Sequence, residues 1–254
     1  MPLPTLSVPE YEIKLPSTKK KLRIRPFLAK EQKVLLMAIE SEDEEQMYNA
    51  IIKILKECIL TSRVNVEKLA TFDLEYLMVQ LRIRSVDDVS TIRFLPPERL
   101  EELKKEEKEP TEDDYIDITL NLNEIDIDVP KDHNIIKLRD DTTLEMSYPN
   151  LGLLNELKTL GGKSEVEKMF NIIARLIDTI YKDDEAFPFK DATKQEQIKF
   201  VEQMSTEDLT KMNSFLETIP SLQHTVEYIY KDQKKSLTLN GLQDFFAFAS
   251  PTLT

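Results

Sequence analysis

The sequence predicts an α+β protein, and three observations carry the prediction. Residues 71–86 place apolar side chains at helical spacing around nearly their whole circumference, as a helix covered on more than one side requires. Runs at 11–15, 22–26, 116–122 and 226–230 alternate apolar and polar residues with the period of two of a half-buried strand. Further stripes at 47–59 and 166–180 have the 3.6-residue period of amphipathic helices. At 254 residues with 41% hydrophobic content, the chain is long enough to bury a genuine core.

The N-terminal part reads as a hairpin followed by helices. Tyr11, Ile13 and Leu15 share one strand face, Leu22 and Ile24 the next, and Pro16-Ser17-Thr18-Lys19 supplies the turn. Pro9, Pro16 and Pro26 confine these strands to edges, because proline cannot donate to a ladder. A helix from Ala29 carries Val34, Leu35, Ala38 and Ile39, and after the acidic 41–45 a second carries Met47, Ala50, Ile51, Ile54, Leu55, Cys58 and Ile59. Both can cover the central helix at 71–86. Its core positions are Phe72, Leu74, Leu77, Met78 and Leu81, with Tyr76, Val79 and Ile83 beside them. Thr71 is its expected N-cap, Asp73 and Glu75 lie in its first turn and Arg82 and Arg84 in its last, the charge order that the macrodipole favours.

The middle of the chain turns to strands. A short strand at 91–95 stops at Pro96-Pro97, and the charged run 98–114 is expected as a short exposed helix or mobile loop that buries nothing. Ile116, Ile118, Leu120 and Leu122 then share one parity and Ile125, Ile127 and Val129 the other, so a turn or bulge is needed near 121–124. Ile135, Ile136 and Leu138 face Leu144, Met146 and Tyr148 across Asp140-Asp141 as another hairpin. A helix at 151–160 should stop at Gly161-Gly162, and a longer one, opened by the capping box of Ser164 and Glu167, should run through Ile173, Leu176, Ile177 and Ile180. Helices at 193–204 and 206–219 follow, then a hairpin turning at 231–235 and a short aromatic helix over 240–248. Three blocks result: 1–88, a hairpin with helices; 89–149, antiparallel strands with the charged insertion 98–114; and 150–254, helices ending in a hairpin and short helix.

The chemistry that these residues exclude is clearer than the chemistry that they assign. A net charge of −13 argues against nucleic acid and anionic membrane surfaces, which need clustered lysine and arginine. No run approaches the length of a membrane span, and the first residues lack the regions of a signal peptide. The single Cys58 excludes an internal disulfide and lies on an apolar stripe, as a packed thiol would. Gly162-Lys163-Ser164 lacks the earlier glycine and the preceding strand of a phosphate loop. Asp117, Asp126 and Asp128 alternate as a wet strand face does, and His133 and His224 have no ligand spacing around them. No catalytic residue, cofactor or metal is expected, and no enzymatic activity. The best interaction candidates are Phe245, Phe246 and Phe248, which cannot all point the same way on one helix.

The opening Met1-Pro2-Leu3-Pro4-Thr5, the strand Tyr11-Glu12-Ile13-Lys14-Leu15-Pro16-Ser17 and the step Arg25-Pro26-Phe27-Leu28 carry a resemblance, together with Phe72-Asp73-Leu74-Glu75-Tyr76, Arg84-Ser85-Val86 and Asn240-Gly241-Leu242-Gln243-Asp244-Phe245-Phe246. Over most of its length the chain resembles the baseplate hub and hub-assembly proteins of T-even-like contractile-tailed bacteriophages. The resemblance implies a non-enzymatic part of the hub, in contact with other hub proteins, tail tube proteins and the end of the tape-measure protein. It places the chain in the virion or, during assembly, in the host cytoplasm, and leaves the oligomeric state open. The alternative is a cytosolic chaperone or adaptor for tail or tape-measure proteins, not retained in the virion.

Overall fold

The computed structural model describes residues 6–41, 43–158, 164–242 and 245. In chain order its elements are β1 (Tyr11–Lys14), β2 (Lys21–Ile24), α1 (Ala29–Glu40), α2 (Glu44–Cys58), α3 (Thr71–Ser85), β3 (Val89–Phe94), α4 (Pro97–Glu106), β4 (Ile116–Asn121), β5 (Ile135–Lys137), β6 (Thr143–Met146), α5 (Leu151–Lys158), α6 (Glu165–Leu176), β7 (Ile177–Lys182), β8 (Glu185–Pro188), α7 (Lys194–Glu202), α8 (Thr206–Glu217), β9 (Gln223–Tyr230) and β10 (Gln233–Asn240). Each strand pairing among the described residues is antiparallel, so the fold is α+β. Two compact units form. One combines Met1–Val66, Phe72–Ile127 and Ser221–Thr254; the other combines Glu67–Thr71 and Asp128–Pro220. The β3–β4 pair lies in the first unit and the β5–β6 pair in the second.

The first unit is organised around α3. Phe72, Leu74, Leu77, Met78, Val79 and Leu81 are buried, while Tyr76 and Ile83 are half-covered. The helix begins on Thr71 itself, so the residue expected as its cap is its first residue, and the Thr71 amide donates to the Pro149 carbonyl at 2.9 Å. The β1–β2 hairpin pairs Tyr11 with Ile24 and closes through Leu15 and Lys20, with Lys19 in the left-handed region. The pairing continues onto the end of α2, where Arg25 N–H donates to the Cys58 carbonyl and Leu60 N–H to the Arg23 carbonyl. Glu31 caps α1 by accepting from the Leu28 amide at 2.8 Å and also takes Arg25 Nη2 at 2.9 Å. Burial opposes ionisation of this carboxyl, but the bonds from Arg25, Leu28 and Lys30 outweigh it and hold its pKa at about 2.

The change of parity after β4 is absorbed by a 3₁₀ turn over Leu122–Glu124, whose first amide donates to the Asp88 carbonyl at 2.7 Å. As a result Leu120 and Leu122 from one parity and Ile125 and Ile127 from the other are all buried. Two expectations for this unit are corrected. The charged run is not a segment that buries nothing: its first half is the helix α4, with Leu103 only 2% exposed. The last hairpin turns on Lys231-Asp232 alone, both at positive φ, so 233–235 belong to β10.

The second unit packs helices on a four-stranded sheet of order β5-β6-β7-β8. Its core gathers Leu144, Met146, Ile173, Leu176, Val201, Met212 and Phe215 with their neighbours. The helix expected to reach Ile180 ends at Leu176; Ile177 and Ile180 lie instead on β7, opposite Met146 and Leu144. β-Branched residues at 177, 179 and 180 favour the strand, and the Asp183-Asp184 turn, with both φ positive, folds β8 back beside it. Ser164, Thr193 and Ser205 each form a capping box, with Glu167, Glu196 and Asp208 respectively. The glycine stop at 161–162 lies outside the described residues.

Candidate interaction surfaces

The charged helix α4 is bound to the β9–β10 hairpin. Glu98 and Glu102 are four residues apart and so share one helix face. That face meets two tyrosines at alternate positions of β9: the Tyr228 hydroxyl donates to Glu98 at 2.9 Å and the Tyr230 hydroxyl to Glu102 at 2.8 Å. Lys231 Nζ adds a 2.6 Å contact to Glu102, and Lys235 lies 3.5 Å from Glu98. The bonds from Lys231 and Tyr230 hold Glu102 at about 2, whereas burial and then Glu98 push Tyr228 up to about 12. Phe94 meets Tyr228 edge to face at 5.0 Å, and Arg99 reaches Asp114 at 2.6 Å, which pins the far end of the run. Glu101, Lys104 and Lys105 of the same helix are exposed.

The aromatic end of the chain divides. Phe245 is 3% exposed and belongs to the core, whereas Phe246 and Phe248 lie outside the described residues. The segment leading to them is tied down twice. Gly241, at φ +66°, donates to the Leu222 carbonyl at 2.8 Å, and the Leu222 amide donates to Glu75 Oε2 at 3.0 Å. That carboxylate and Asp73 were legible only as first-turn acids of α3. Asp73 is 1% exposed and accepts from the backbone amide of Ser17 at 3.0 Å and from its hydroxyl, fastening the first hairpin to the central helix. Nothing in the local sequence signals a contact between residues 56 positions apart.

Cys58, His133, Asp117 and Asp126 each have a place in the structure. Cys58 is fully buried, and burial pushes its thiol up to about 11, the reverse of what a nucleophile needs. His133 sits in a hydrogen-bonded chain in the second unit. Thr218 Oγ1 lies 2.7 Å from the Ser214 carbonyl, to which its proton goes, so it accepts from His133 Nε2 at 3.0 Å. Nδ1 is left to accept from the Tyr148 hydroxyl at 3.1 Å, and the ring packs on Tyr148 and Phe215. His224 lies on β9 in the first unit. Asp117 pairs with Arg93 at 3.5 Å, and Asp126 accepts from the amide of Ile127. Among the described residues no three His, Cys, Asp or Glu side chains converge on a point where a metal ion could sit. Of the Gly162-Lys163-Ser164 triplet, only Ser164 is described, as the cap of α6. Among the described residues no helix is long and apolar enough to cross a membrane.

Buried charged groups such as Glu31 and Asp73 tie separate elements of the first unit together. No curated protein and no solved structure matches the chain. The family described as T4 bacteriophage base plate protein matches residues 8–247, nearly the whole chain, and the chain belongs to that family, as a structural component of a phage tail baseplate.

Proposed function

We propose that this chain is part of the central hub of the baseplate and acts there by binding other hub and tube proteins, without catalysis. The family match over residues 8–247 carries the reading, since it makes other tail proteins the partners. The motifs at 11–17, 72–76 and 240–246 resemble hub and hub-assembly proteins in particular. Phe246 and Phe248 are part of the proposed contact surface, whereas Phe245 serves the core.

The test is quantitative mass spectrometry of purified particles, with cross-linking to locate neighbours. The hub reading expects the chain in the virion in a fixed ratio to the hub proteins and cross-linked to them. A chain needed for assembly but missing from finished particles is an assembly factor that leaves, and cross-links only to peripheral baseplate proteins exclude the hub. Phe246→Glu should weaken capture of the cross-linked partner; unchanged capture by a folded variant removes that residue from the surface.

A further inference from the structure

The second unit carries a groove of about 450 Å³ between α6 and α7, lined by Val166, Phe170 and Ile198 together with Glu167, Asn171 and Glu202. Two of these residues are placed at a disadvantage to the isolated chain. Val166 is 62% exposed although Ile172, Ile173 and Leu176 of the same helix are available to pack inward. Glu202 is the last residue of α7, where the helix dipole is negative and a carboxylate is disfavoured. Among the described residues it has no cationic partner. Val166 and Phe170 lie one turn apart on α6, as do Ile198 and Glu202 on α7, so the groove offers an apolar floor with negative charge at the end of α7.

One kind of ligand relieves both disadvantages at once. An apolar side chain seated against Val166, Phe170 and Ile198 removes their surface from water, and a lysine or arginine beside it answers Glu202, the α7 carbonyl end and Glu167. A groove between two helices accepts a third helix by its i, i+4 ridge. We propose that this groove docks a basic amphipathic helix of a neighbouring tail protein, with leucine-like side chains on one face and lysine or arginine flanking them. The inference rests on the baseplate reading for the source of that helix, while the groove's preference for basic and apolar chemistry stands on its own residues.

The test is fluorescence anisotropy with the full chain at physiological ionic strength and three labelled synthetic helices. One carries leucine and lysine on adjoining faces, one has glutamate for the lysine, and one has serine for the leucine. Only the leucine–lysine helix should bind. Val166→Gln and Glu202→Gln should each weaken it by about fivefold or more, since each removes one half of the recognition. Glu101→Gln, which makes the same charge change on α4, should leave binding unchanged. Both groove positions are exposed, so the variants should fold, which circular dichroism checks. No binding, equal binding of the serine–lysine helix, or equal weakening by Glu101→Gln would overturn the proposal, the last two by showing diffuse attraction to an acidic protein. Counting the wild-type chain in purified particles separates the two claims. Its absence there defeats the reading of the chain as a part of the finished hub whatever the titration shows, whereas presence with groove variants that bind like wild type defeats the groove alone.

Discussion

Leu77 is the position at which the architecture of the first unit can be tested most sharply. Its side chain is fully buried, on the stripe it shares with Leu74, Met78 and Leu81, with Phe72 and Val79 buried on the flanks of the same helix. Truncation to alanine removes the transfer free energy of the lost carbons and leaves a cavity that close-packed neighbours fill only in part, a loss of about 2–5 kcal/mol. Leu77→Met keeps the volume and should cost less than about 1.5 kcal/mol. Leu77→Asp places an ionised carboxylate among buried apolar side chains, a penalty comparable with the roughly 5–15 kcal/mol by which a domain is stable. The first unit should then unfold. Urea titration followed by circular dichroism gives the first two values, and amide hydrogen exchange locates the third, with protection lost first across α1, α2 and α3. A soluble Leu77→Asp variant that unfolds cooperatively at the wild-type midpoint would refute the placement of α3 at the centre.

Other consequences can be measured directly. Glu31 has a folded-state pKa of about 2 against an ordinary 4.5, so it contributes stability above pH 4.5 that is lost as pH falls toward 2; Glu31→Gln should flatten the acid limb of the stability curve in that window. The Cys58 thiol should react with a disulfide reagent only as fast as the protein opens, and denaturant should release it at once. Tyr228→Phe should cost about 1 kcal/mol, speed amide exchange in α4, and remove one tyrosine from the late part of a spectrophotometric titration, near pH 12. Nitrogen NMR should find neutral His133 protonated on Nε2, since Thr218 has already given its proton to Ser214; an Nδ1–H tautomer would break that chain of reasoning.

Local signals in this sequence were strong wherever a short-range rule decides the conformation. Ser164, three residues before Glu167, marked a helix start that the structure keeps, and the parity change around Leu122 required the turn found there. Ambiguity appeared where one apolar pattern satisfies two periods. Ile177 and Ile180 extend a helical stripe from Ile173 and Leu176 as well as they start a strand, and the choice is made by pairing with β6, where Ile177 meets Met146 and Ile180 meets Leu144, 31 and 36 residues earlier. The charged run misled for a related reason. Its acids read as solvated, because the tyrosines that receive Glu98 and Glu102 stand 130 and 128 residues away. Of the candidate surface, the terminal phenylalanines were visible as a cluster, whereas the groove between α6 and α7 needs two helices brought side by side. A lineage was nonetheless legible, because the structural motifs at both ends of the chain are specific even where they perform no chemistry.

The bond from the Leu222 amide to Glu75 has a consequence for the order in which the protein can be made. The two residues are 147 positions apart, and nearly all of the second unit is synthesised between them. On the ribosome, α1, α2 and α3 emerge early but lack the β9–β10 hairpin, and α4 must wait for Tyr228, Tyr230 and Lys231. Among the described residues the strands of the second unit, by contrast, pair only with one another, and its helices emerge in the same continuous stretch. The first part of the chain to appear is therefore the last to be finished, since both the Glu75 tie and the seating of α4 on β9 wait for the final segment.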